Sequence, residues 1–93
     1  MREARLNDLR KLQAEELRSL LARVERKLTK TTSPEARDKG ELIRTALERA
    51  VSNQQAGYFL GVHFQVNELQ ALGIKFSSAF DDLFNEEIGL YGF

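Results

Sequence analysis

His63 is the only histidine in the chain, and there is no cysteine. A catalytic or metal-binding imidazole needs companions at ligand spacing, and His63 has none in the sequence. The missing thiols exclude disulfides, thiolate zinc sites and a thiol nucleophile. Asp81, Asp82, Glu86 and Glu87 form the densest acidic group. Asp82 and Glu86 are four apart on a helix and would face one divalent ion, but two carboxylates from one helix make a poor site. They read better as the wet face of a helix whose dry face is Phe76, Phe80, Leu83, Phe84 and Ile88. No Gly-rich phosphate loop, nucleophile elbow or pair of catalytic carboxylates can be found. The expectation is a non-enzyme with no cofactor and no metal.

Arg23, Arg26, Lys27 and Lys30, with Arg37 and Lys39 across a turn, are the residues that would hold phosphates. The start of a second helix adds free backbone N–H groups there. Glu25, Glu35, Asp38 and Glu41 are interleaved with them. Opposite charges also recur at helical contact spacing, as in Lys11 with Glu15, Glu15 with Arg18, and Arg44 with Glu48. That is the pattern of a solvated face laced with ion pairs. The formal net charge is zero, so no global field draws the chain to nucleic acid or anionic lipid.

The elements that carry these residues divide the chain into unlike halves. All eight aromatic residues follow residue 57. Residues 1–49 carry thirteen basic and nine acidic residues, a net +4; residues 50–93 carry one lysine and five acids, a net −4. The basic half reads as a helical hairpin. Over residues 3–30, Leu6, Leu9, Leu17, Leu20, Leu21, Val24 and Leu28 share one face at helical spacing, with Gln13 in its middle. Thr31-Thr32-Ser33-Pro34-Glu35 is a helix-start signal, with Ser33 as cap and Pro34 at N1, or Thr32 as cap with Glu35 at N3. The short connection makes the two helices antiparallel neighbours. Ile43, Leu47, Ala50, Val51 and Gln54 form the inner stripe of the second.

Past residue 56 the pattern is double. Tyr58, Leu60, Val62, Phe64 and Val66 alternate like a strand. Val51, Gln54, Tyr58, Val62, Val66, Leu69 and Leu72 equally continue the helical stripe. A strand needs a partner, so the helix is preferred and a strand over about 58–66 is the alternative. Gly57 and Gly61 bracket a small-xxx-small motif, weakly specific in a water-soluble chain. Ser77 or Ser78 suits the cap of a last helix over 79–88, closed by Gly89.

The fold class expected is therefore all-α: one domain over residues 1–93, a long antiparallel hairpin and then a short C-terminal helix, with α+β as the alternative. The function expected is protein–protein contact, as an adaptor, assembly subunit or regulator working as a homodimer or on another protein. A chain of this size buries only about two-thirds of its unfolded surface, which favours association. The contact residues singled out are Leu17, Leu20, Leu21 and Val24 on a coiled-coil-like seam, with Phe80, Phe84, Tyr91 and Phe93 as aromatic anchors, on the hairpin or on a partner. A nucleic-acid-binding regulator using Arg23, Arg26, Lys27, Lys30 and Arg37 is the alternative. The charged N-terminus is unlike a secretory signal, and no apolar run approaches the ~20 residues of a membrane span, so the expected location is cytoplasmic.

Overall fold

Four helices follow one another: α1 (Arg2–Lys30), α2 (Pro34–Gln55), α3 (Phe59–Ala71) and α4 (Ser78–Tyr91). The computed structural model describes the backbone of residues 2–91 and the side chains of residues 8, 10–82, 84 and 85. The fold is all-α, and no strand occurs among the described residues.

α1 and α2 form the expected antiparallel hairpin. Gln54, at the end of α2, donates from Nε2 to the Arg10 carbonyl near the start of α1 at 3.0 Å. At the other end Arg37 donates from Nη1 to the carbonyls of Leu28 and Thr31, at 3.1 and 3.2 Å. It thereby adds a donor to each of these carbonyls, of which that of Leu28 also accepts the Thr31 N–H at 3.3 Å. Ser33 stands in the cap position with Pro34 as the first helical residue, but its hydroxyl makes no capping hydrogen bond.

The strand expected as the alternative at 58–66 does not form, and neither does a straight continuation of α2. The Tyr58 N–H bonds to the Asn53 carbonyl at 2.8 Å, and the Gly57 N–H to that of Gln54 at 3.2 Å. This pair of bonds is a Schellman closure, which needs a left-handed residue, and Gly57 has φ +76°. The closure repeats after α3, with Ile74 N–H to Leu69 and Gly73 N–H to Gln70, both 3.0 Å, and Gly73 at φ +96°. Of the two glycines in the small-xxx-small motif, only Gly61 is helical. It is buried, and a Cβ there would lie 2.6 Å from Tyr58 Cδ1 and 2.7 Å from Asn53 Nδ2.

α3 therefore turns back along the hairpin. Its first residue, Phe59, lies under the Arg10 guanidinium, 3.9 Å from the ring centre. Ile74, just beyond its last turn, reaches the cleft lined by Val24, Leu28, Gly40 and Ile43. α3 packs mainly on α2, and α4 on α1. The core joins Leu17 of α1, Ala46, Leu47 and Ala50 of α2, Val62, Val66 and Leu69 of α3, and Phe80 and Phe84 of α4.

α4 is seated by a polar clasp. Glu16 of α1 accepts from the Ser77 N–H at 2.8 Å and from the Ser77 hydroxyl at 2.5 Å. The same hydroxyl accepts the Phe80 N–H at 3.2 Å, which makes Ser77 the cap. The expected stop at Gly89 is not used, because α4 runs on to Tyr91. A glycine inside a helix costs about 1 kcal/mol against alanine, too little to end one by itself.

The long axis measures 48 Å against 24 and 22 Å across. The length is that of α1, since 29 residues at 1.5 Å each extend roughly 43 Å. α3 and α4 cover the hairpin from the level of residue 10 to about that of Val24, and beyond them only Ile74 reaches toward the turn.

Candidate functional site

α3 is the helix that the fold only half uses. Its thirteen residues, Phe-Leu-Gly-Val-His-Phe-Gln-Val-Asn-Glu-Leu-Gln-Ala, include one carboxylate, Glu68, and no lysine or arginine. Gly61, Val62, His63, Val66 and Leu69 face the core. A helix with apolar residues on both sides normally belongs in an interior. Here the outer side faces water: Phe64 is 67% exposed, Leu60 39%, and Tyr58, just before the helix, 56%. Leu60, Phe64, Asn67 and Ala71 are all exposed and spaced 4, 3 and 4 residues apart. That spacing puts them in one row. Two aromatic side chains of ~200 Å² each, both more than half exposed, put roughly 250 Å² of ring surface in water. Leu60 and Phe64 thus place adjacent apolar side chains in water on the side of α3 away from the core.

The residues singled out from the sequence lie elsewhere. Leu17, Phe80 and Phe84 belong to the intrachain core, and Leu20, Leu21 and Val24 are half-buried against it. Phe76 stacks on Phe80 at 4.3 Å between ring centres, and Phe84 meets His63 edge-on at 4.7 Å. Of the two arms expected for the aromatic segment, Phe80 and Phe84 take the hairpin-docked one. Tyr91 and Phe93 lie outside the described side chains.

Arg23, Arg26, Lys27 and Lys30 are exposed along the last turns of α1. Arg37 is engaged with the end of α1. Arg23 and Lys75 flank a shallow groove of about 460 Å³, but Glu15 and Glu16 line it as well. On α2, Arg44 pairs with Glu48 at 3.5 Å, as the spacing indicates, and also with Glu41 at 2.5 Å.

His63 is buried on the inner side of α3, and burial holds its pKa below the usual 6.5, so it is neutral near pH 7. No group of three or more His, Cys, Asp or Glu side chains arranged to hold a metal ion occurs among the described residues. Among those residues, too, no helix is long and apolar enough to cross a membrane. Gln13 is fully buried, and neither its amide nitrogen nor its oxygen has a hydrogen-bond partner among the described residues.

Tyr58, Leu60 and Phe64 are the exposed apolar residues that the sequence reading did not single out. Their signal was present: Leu60 and Phe64 are four apart and lie off the Val62–Val66–Leu69 stripe. Compared with protein-family models, curated proteins and solved structures, the chain matches none.

Proposed function

We propose that this chain is a non-catalytic protein-contact module that works by self-association, with the outer face of α3 as its contact surface. The observation that carries the reading is the exposed Tyr58, Leu60 and Phe64 on a helix with a single charge. Absence of charge fits a second copy in particular. A twofold self-contact doubles whatever net charge the face carries, so it suits a face that has almost none. An adaptor, an assembly subunit or a small regulator each fits such a module.

Sedimentation equilibrium tests it. The wild type is expected at twice its 10.6 kDa mass in the micromolar range. Phe64→Asp is expected to return the chain to monomer with its helical circular dichroism unchanged, because the side chain already faces water. Leu42→Asp, an equally exposed leucine on α2, serves as control and is expected to leave the dimer intact. A wild type that stays monomeric through the micromolar range overturns the reading.

A further inference from the structure

The exposed row on α3 has a size pattern that constrains how two copies meet. We propose that two chains pair through α3 in antiparallel register, setting Phe64 against Asn67 and Leu60 against Ala71 of the second copy, which makes a two-ended dimer whose hairpin tips point in opposite directions. The inference rests on the self-association reading above and adds its geometry.

Leu60, Phe64, Asn67 and Ala71 run large, large, small, small along the helix. A twofold axis perpendicular to α3 and midway along the row pairs the first residue with the last and the second with the third. Each large side chain then meets a small one, which is how facing helix surfaces fill space without voids. The parallel arrangement instead stacks like on like: Phe64 on Phe64, Ala71 on Ala71, and Asn67 on Asn67. Charge separates the two further. Glu68, the lone ionised group of α3, would flank its own copy in a parallel pair. In the antiparallel register it lies opposite position 63, so the two carboxylates are offset by about 7 Å along the axis. Antiparallel helix dipoles also favour this pairing. Two such faces with Tyr58 at their edge bury on the order of 1,000 Å², the low end for a specific interface, which fits a reversible dimer.

The consequence for shape follows from the direction of α3. It runs from the level of Arg10 toward the level of Val24 and Ile43, the same way as α1. Reversing α3 in the second copy reverses the whole hairpin. The middle of α3 lies near the level of Leu17, so each turn sits about 20 Å beyond the axis and the two turns stand about 40 Å apart.

Thr32 is exposed at the turn and remote from α3, and the chain has no cysteine, so Thr32→Cys carries a spin label without touching the seam. Pulsed electron–electron distance measurement on the labelled dimer is expected to give about 40 Å. A distance of about 30 Å or less, the three helix spacings that separate the hairpins of a parallel α3 pair, would overturn the antiparallel pairing. Register is read with Leu60→Cys and Ala71→Cys under mild oxidation. The mixture is expected to give the 60–71 disulfide dimer, and neither variant alone a comparable yield. Strong cross-linking of each variant with itself refutes the register. A native dimer that no combination cross-links refutes the α3 seam and leaves self-association standing. Absence of any dimer defeats self-association itself.

Discussion

Replacing Gln13 by methionine should make the protein more stable, against the usual trend for core substitutions. Gln13 sits in the leucine face of α1, fully buried, with both ends of its amide lacking a partner among the described residues. Each buried, unsatisfied polar group costs about 1–3 kcal/mol of desolvation. Methionine has nearly the same length and shape, carries no group that must be hydrogen-bonded, and tolerates irregular gaps. Part of the gross gain is lost to imperfect packing, which leaves about 2 kcal/mol. For a domain of this size that raises the thermal midpoint by roughly 8–16 °C. It raises the urea midpoint by about 1–2 M at an unchanged slope. The assay is urea unfolding followed by helical circular dichroism, with protomer concentration held fixed so that any dimer contributes equally to both proteins. A Gln13→Met protein less stable than the wild type by 1 kcal/mol or more would refute the reasoning, because the amide would then be bonded in solution and earn its place in the core.

Glu16→Ala removes the acceptor of both Ser77 bonds and is expected to cost about 1–2 kcal/mol, lowered from the full charged-bond value by partial exposure, while Glu16→Gln, which keeps one acceptor, costs less; a Glu16→Ala protein as stable as the wild type would show that the clasp contributes nothing. Stability should fall as pH drops below about 6.5, because the unfolded chain takes up a proton there that buried His63 resists, and should level off below the folded pKa. A His63→Leu protein that keeps the same slope from pH 7.5 to 5 would assign that slope to other groups. Duplex DNA should bind only weakly near physiological salt, given the interleaved acids and the engaged Arg37; sub-micromolar binding with a steep salt slope, lost in Arg26→Ala and Lys30→Ala, would turn the proposed function toward nucleic acid.

What could be read in the sequence was what local chemistry decides. Pro34 starts α2 and Ser77 caps α4, because each acts on its own neighbours within a few residues. The inward stripe of α2 was equally legible, since Leu47 and Ala50 are buried as their spacing indicates. α3 was harder, because its apolar residues satisfy two periods at once. Val62 and Val66 fit both an alternating strand and a helical stripe, and the ambiguity concealed that Leu60 and Phe64 form a second face. Tyr58 falls on the inner stripe only in an unbroken helix; with the turn at Gly57 it is exposed. The clasp between Glu16 and Ser77 joins residues 61 apart, and nothing distinguishes Glu16 in sequence from the other acids of a charge-laced helix.

The tip of the hairpin has a kinetic character of its own. Beyond Val24 and Ile43 the only described apolar side chain buried there is Leu28, closed over Gly40. Two hydrogen bonds from Arg37 hold the turn, and Ile74, just past α3, is the one residue from the rest of the described chain that lines its cleft. Little apolar surface must therefore be exposed for residues 27–40 to open, while the four-helix half stays folded. Amide protons at the tip should exchange by local opening, orders of magnitude faster than those of Leu47, Val66 and Leu69, whose exchange waits on global unfolding. The molecule thus has two clocks along one axis, a quick one at the charged turn and a slow one where α3 lies. A surface that must adapt to whatever it meets would belong at the first, and one that must keep its shape, such as a dimer seam, at the second.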